Sequence, residues 1–241
     1  KILKLRSESK MEIEILYSEF GNLNGDIGNV EYLKKCLPEA KIVETAINDE
    51  PLFVTKDDIS LIYMGTLSER AQEIVIQKLM PYKNRIKDLI EKGQVFLFTG
   101  NSVEVLGKYI ENEDGSKIEA LDIFDIYSKR NMLNRHNSMF LGKYEDIELV
   151  GFKSQFTMLY GDNTKNYFSE VEMGIGMNEQ TKLEGIKQNN FIATYMIGPL
   201  LILNPLFTIK LMQRMQIQNP TLAYEKELIE AYNERLKKFK Q

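Results

Sequence analysis

The unbroken apolar run Val95-Phe96-Leu97-Phe98 in the middle of the chain is bounded by Gly93 and Gly100, a pattern that suits a strand buried on both faces of a parallel sheet. After Gly100 the period changes, and Val103, Leu106 and Ile110 recur at helical spacing, so a sharp turn into a helix is predicted, with Asn101 or Ser102 as its N-cap. Upstream, Glu12-Ile13-Glu14-Ile15-Leu16-Tyr17 alternates polar and apolar as a first strand. The loop Phe20 to Asn29, rich in Gly, Asn and Asp, needs a positive φ somewhere. A helix carrying Val30, Leu33 and Leu37 ends at Pro38. Lys41 to Thr45 and Ile59 to Met64 read as two more strands, and Ser68 caps a helix bearing Ala71, Val75 and Leu79. Pro81 breaks that helix, and a second piece carries Tyr82, Ile86 and Leu89 to Gly93. Strand and helix in alternation predict βαβ units around a mostly parallel sheet.

Beyond Gly107 the pattern shortens. Glu111 to Lys117 is a charged surface turn, and Leu121 to Tyr127, Ile147 to Phe152, Phe156 to Tyr160 and Phe168 to Glu172 read as short strands of a more antiparallel region. Lys129 to His136 reads as a basic surface loop able to hold an anionic group. Asn190 to Pro199 is a strand closing in a Gly-Pro turn, Pro205 opens a helix at its first position, and Thr221 to Lys240 is an amphipathic docking helix. The expected architecture is α/β, flavodoxin-like, with a mostly parallel sheet flanked by helices and additional antiparallel strands in the second half. Residues 1–10 read as an upstream extension or cloning remnant, and 11–241 as a single domain.

Composition narrows the chemistry. A formal charge of −4, with the positive charges scattered, leaves no footprint for nucleic acid. No apolar run reaches the roughly 20 residues of a membrane helix, no signal-peptide core is evident, and a cytoplasmic protein without membrane attachment is expected. Cys36 is the only cysteine and His136 the only histidine. Intrachain disulfides and cysteine-rich metal sites are therefore excluded, and no metal or cofactor is expected.

Five separated pieces resemble the class I glutamine amidotransferases of the cobyric acid synthase type, and among them the glutaminase subunits of lipid II isoglutaminyl synthases. They are Leu16-Tyr17 through Asn22-Leu23-Asn24-Gly25-Asp26-Ile27-Gly28-Asn29; Val95 to Gly107; Val150-Gly151-Phe152; Glu184-Gly185-Ile186; and Thr194 to Leu201 with Asn204-Pro205. The resemblance implies a cysteine nucleophile at the turn, a histidine proton shuttle, and a Mur-ligase-type, ATP-dependent partner subunit.

The departures fall where the chemistry would be. Counted back from Leu106-Gly107, the family's cysteine corresponds to Gly100, its following glutamine to Glu104, and its catalytic histidine to Ile197. Its Gly-Gly-Gly turn reads Met64-Gly65-Thr66, and its arginine falls near Met139, with Arg135 as the nearest substitute. Neither glycine nor isoleucine offers a lone pair for amide hydrolysis. The expected function is a catalytically degenerate amidotransferase-like partner of a Mur-ligase-type subunit in cell-wall amidation. The alternatives are a hydrolase using Ser102 or Thr99 with Glu104 as base, or a small-molecule sensor in the old glutamine pocket. The residues expected to bind a ligand are Gly65, Asn101 and Arg135, and those expected to meet a partner are Asn22, Asn24 and Asp26. Two geometric expectations follow: Gly100 takes a positive φ or a crowded position, and the cleft is narrow and apolar around Ile197 with Phe98, Val103 and Val105.

Overall fold

The computed structural model describes residues 11–241, so the expectation for residues 1–10 lies outside the described residues. The first half builds the expected alternation: β1 (Glu12–Leu16), α1 (Ile27–Cys36), β2 (Lys41–Thr45), β3 (Leu61–Met64), α2 (Glu69–Leu79), α3 (Lys83–Glu91) and β4 (Phe96–Thr99). Ser68 caps α2 by accepting a hydrogen bond from the Ala71 amide at 3.2 Å, as its sequence position predicts.

After β4 the structure departs from expectation. Gly100–Leu106 forms a 3₁₀ helix that stops at Gly107, and Ile110 lies in a strand, β5 (Tyr109–Glu111). The capping candidates are engaged elsewhere, because the Asn101 side chain brackets Leu67 and the Ser102 hydroxyl donates to Thr99 O. The remaining strands are β6 (Lys117–Glu119), β7 (Ile126–Arg130), β8 (His136–Tyr144), β9 (Ile147–Gln155), β10 (Thr157–Gly161), β11 (Ser169–Met173), β12 (Leu183–Glu184), β13 (Ile186–Gln188) and β14 (Phe191–Thr194). Three helices close the chain: α4 (Leu200–Leu203), α5 (Pro205–Arg214) and α6 (Glu225–Phe239). The charged stretch Glu111 to Lys117 is a turn, but one flanked by the β5–β6 pair. The basic segment is a loop over residues 131–135, as expected, with its ends in strands, since Lys129 and Arg130 end β7 and His136 begins β8.

The main sheet runs β13-β14-β4-β3-β1-β2, with every neighbouring pair parallel except the β13–β14 edge. Alternation along its strands divides the core between the two faces. Ile62, Met64, Phe96 and Phe98 pack toward α2 and α3, whereas Leu61, Tyr63 and Leu97 pack with residues of α1, α4 and α5. Each such fully buried large side chain contributes roughly 1.5–3 kcal/mol. This placement brings the carboxyl ends of β1, β3, β4 and β14 together on one rim, the place where open α/β sheets hold their sites.

Two four-stranded sheets, β10-β7-β5-β6 and β12-β11-β8-β9, form the antiparallel part. Strand β9 would leave an open edge, and Asn204 covers part of it. Its side chain accepts from Val150 N and donates to Val150 O, both at 2.8 Å. Helix α6 packs Tyr232, Leu236 and Phe239 over Leu141 and Val150, as the amphipathic tail predicts.

Candidate functional site

The site begins at a backbone turn. Thr99 ends β4 in extended conformation, and Gly100 then swings to φ +62°, the left-handed region that side-chain-bearing residues enter at a cost of roughly 1–2 kcal/mol. The positive φ expected of Gly100 is found, and so is the crowding. A Cβ built on Gly100 would lie 2.8 Å from both Cβ and Cγ2 of Thr66, and closer still to its Oγ1. Thr66 follows the end of β3 and fills the space into which a side chain at position 100 would project. Its hydroxyl is buried and has no hydrogen-bond partner.

Beneath the turn lies a polar knot built by the Asn22 to Asn29 loop. Asn24 and Gly25 take φ of 55° and 84°, the positive values the loop composition predicts. Asp26 is thereby carried fully inside, where one carboxylate oxygen accepts from Thr66 N at 2.5 Å and the other from Asn29 Nδ2 at 3.2 Å. Burial pushes its carboxyl above the usual carboxylate range, opposed by hydrogen bonds that favour the charged form. Asn29 Nδ2 also donates to Tyr63 OH at 3.0 Å, and Tyr63 OH meets Thr99 Oγ1 at 3.1 Å. Asp26 is therefore a brace of the site and offers no surface to a partner. Asn22 and Asn24 remain exposed.

A second buried network stands behind the 3₁₀ helix. Glu104 accepts from Gln72 Nε2 and Tyr195 OH, each at 3.0 Å, and Gln72 Oε1 in turn accepts from Arg130 at 2.8 Å. Full burial pushes the Glu104 carboxyl up to about 7, against the pull of these donors and of Arg130.

The cavity at the rim has a volume of about 170 Å³. Its wall includes Leu23, Thr66, Asn101, Glu104, Arg135 and Gln155. It is small, as expected, but its lining is mostly polar and Ile197 takes no part in it, so the apolar half of that expectation fails. Ile197 is instead buried with its amide bonded to Phe152 O at 3.1 Å. The Gln155 Oε1 is a second buried atom without a partner.

The predicted ligand residues separate. Asn101 and Arg135 stand on the cavity wall, with the Arg135 guanidinium 4.3 Å over the Phe156 ring. Gly65 does not join them, because it lies against Gly21 and Asp26, where a Cβ would meet Asp26 Cβ at 3.1 Å. The alternative nucleophiles are badly placed for attack: Ser102 and Thr99 are fully buried, the first donating to Thr99 O at 2.6 Å and the second paired with Tyr63. His136 is half-buried and held against Ser138 Oγ, and burial and then Lys153 hold its imidazole below the ordinary histidine value. It lines a separate cavity with Lys129 and Arg135. Met139 is exposed on β8 opposite Phe152. Among the described residues no group of His, Cys, Asp and Glu is placed to hold a metal.

Sequence reasoning missed Thr66 and Gln155. The departure of Met64-Gly65-Thr66 from a glycine triplet was the one available signal for the first. For the second it was the stretch from Val150 to Leu159, which reads VGFKSQFTML where the family has VGFENHGGRT.

This geometry has relatives. The chain is 28% identical over 181 residues to the lipid II isoglutaminyl synthase (glutamine-hydrolyzing) subunit GatD of Staphylococcus aureus, covering 75% of this chain and 74% of that protein. It is 25% identical over 205 residues to the subunit of the same name from Streptococcus pneumoniae, covering 81% and 76%. Among solved structures, a glutamine amidotransferase aligns over 85% of this chain and 99% of its own with a TM-score of 0.54 at 11% identity. PurLQS from Thermotoga maritima aligns over 86% and 98% with a TM-score of 0.51 at 12% identity, and both likenesses concern the fold. The model of the CobB/CobQ-like glutamine amidotransferase domain matches residues 13–203, and the chain belongs to that family.

Proposed function

We propose that this chain is a non-catalytic glutamine amidotransferase-like subunit that acts through a protein partner, a Mur-ligase-type amide-forming subunit, in peptidoglycan amidation. The observation that carries the reading is the turn at Gly100. It has no side chain, Thr66 fills the adjoining space, and neither buried hydroxyl nearby is free to attack. Amide hydrolysis by this family's route needs a nucleophile at that turn and a base beside it. The similarity to GatD subunits of lipid II isoglutaminyl synthase supports the cell-wall assignment.

Exposed apolar side chains are available to a partner on the loop that lends Leu23 to the cavity wall and on β8 and β9. Leu23 and Ile27 are 42% and 56% exposed on the Asn22 to Asn29 loop, and Met139 and Phe152 sit opposite one another on β8 and β9. Exposed apolar side chains next to a polar pocket are the composition of a binding surface. Co-purification with a Mur-ligase-like protein from the same genome tests the reading. Binding that is lost in Asn24→Arg and kept in Ser102→Ala supports it. Failure of the folded wild-type chain to bind such a ligase removes it.

The polar cavity supports a second reading, a small-molecule sensor. Its wall carries the side chains of Asn101, Arg135 and Gln155, polar groups that suit a small polar ligand. A thermal upshift on adding glutamine, without ammonia release, would favour this reading.

A further inference from the structure

The loop between β7 and β8 contradicts its own turn chemistry. Asn134 N donates to Asn131 O at 3.2 Å and closes a β-turn, which puts Met132 and Leu133 at its two central positions. Those positions favour Gly, Asn, Asp, Ser or Pro, for conformational reasons and because they face water. Here Leu133 is 87% exposed and Met132 39%, making Leu133 the most exposed large apolar residue described.

The flanks of the turn are polar and cationic. Lys129, Asn131, Asn134, Arg135 and His136 line a cavity of about 510 Å³ beside it. Lys129 is shared with Glu111 at 3.1 Å, whereas the Arg135 guanidinium sits 4.3 Å over the Phe156 ring and makes no ion pair among the described residues. Glu179 is the one acidic side chain in that lining. A cup with an unpaired guanidinium and several amide donors suits the phosphate of a lipid headgroup, and an apolar apex beside it suits the acyl boundary just below.

We propose that the Asn131 to Arg135 turn attaches this chain peripherally to an anionic phospholipid surface, with Met132 and Leu133 entering the headgroup boundary and Arg135 engaging lipid phosphate. The expectation of no membrane attachment rested on the missing apolar span. The described helices are likewise too short or too polar to cross a bilayer, but a turn that lies on the surface needs no such span. The inference shares Arg135 with the wall of the rim cavity, but Met132 and Leu133 line neither that cavity nor the Asn22 to Asn29 loop on which the partner reading rests.

Two apolar side chains and about one free cation make the attachment weak and salt-sensitive, since each surface cation changes partitioning by about fivefold. Flotation of the purified full chain with phosphatidylcholine vesicles, with and without an equal share of phosphatidylglycerol, is the test. The wild-type chain is expected to float with the anionic vesicles at low salt and to be released at high salt. Met132→Ser combined with Leu133→Asn should abolish flotation, and Arg135→Gln should weaken it by about fivefold. Both changes are on exposed side chains, so an unchanged circular dichroism melt separates the effect from misfolding. Flotation that is absent, or that is unchanged in the double variant, overturns the proposal. So does binding of free glycerophosphate by a wild-type chain that does not float, which would make the cup a soluble-anion site. Loss of ligase co-purification in the double variant with vesicle binding intact would reassign the turn to the protein interface.

Discussion

Substituting Gly100→Ala probes the turn at its most constrained point. The new Cβ must accept φ of +62°, which costs about 1–2 kcal/mol, and must displace a Thr66 side chain whose Cβ and Cγ2 are 2.8 Å away. Thr66 cannot move freely, because its amide is held by Asp26 at 2.5 Å and its neighbours are the ends of β3 and β4. Overpacking of a core position costs about 1–3 kcal/mol, so the total is roughly 2–5 kcal/mol. For a chain of this size that corresponds to a fall in Tm of roughly 4–20 °C. Urea unfolding followed by fluorescence and by circular dichroism would give the change in midpoint at unchanged slope. The double variant Gly100→Ala/Thr66→Gly removes the steric part and leaves the backbone part. The two changes should therefore couple favourably by about 1–3 kcal/mol. A Gly100→Ala effect below about 0.5 kcal/mol, the range of an ordinary surface change, would refute the reasoning, as would strict additivity in the double variant.

Glu104→Gln should stabilise the protein in a pH-dependent way. Burial raises the folded-state pKa to about 7 from the ordinary 4.5, so folding favours the protonated form. The stability this contributes is fully present below pH 4.5 and is lost as pH rises through 7. A neutral glutamine avoids that loss, so the variant should gain up to roughly 3 kcal/mol at pH 8 and almost nothing at pH 4, read from urea midpoints. A gain that is the same at both pH values would contradict the buried-carboxyl account. Lys153 and Glu184 form a fully buried ion pair at 2.5 Å, with the lysine also donating to Gly176 O. Glu184→Ala strands the ammonium and should cost about 3–5 kcal/mol, whereas Lys153→Met with Glu184→Leu should cost far less. Equal losses in the two variants would show that packing, not charge, dominates there.

The parallel sheet was legible because Val95 to Phe98 and Ile59 to Met64 are buried on both faces, and burial of that kind writes itself into composition. The capped start of α2 was legible for a local reason, the Ser68 hydroxyl three residues from the amide it serves. Strand β8 was not, since His136 to Tyr144 mixes exposed Asn137 and Met139 with buried Phe140 and Leu141 and shows no clean period. The helix after Gly100 was misread because Val103, Leu106 and Ile110 are all buried, the last of them across a chain reversal into β5. At the site, the glycine at residue 100 and the isoleucine at residue 197 can be read directly from the sequence. The filling of the turn at Gly100 by Thr66 and the inward turn of Asp26 onto Thr66 depend on the approach of segments far apart in the chain, 40 residues for the second, which no local pattern encodes.

The central claim is the absence of glutaminase chemistry at the Gly100 turn, and ammonia release from glutamine measures it most directly. Purified chain, alone and mixed with the Mur-ligase-like protein of the same genome and ATP, should release no more ammonia than the corresponding mixture lacking the chain. Release that requires the chain and disappears in Ser102→Ala would contradict the account, because it would mean that a hydroxyl buried and bonded to Thr99 O in this structure is the nucleophile.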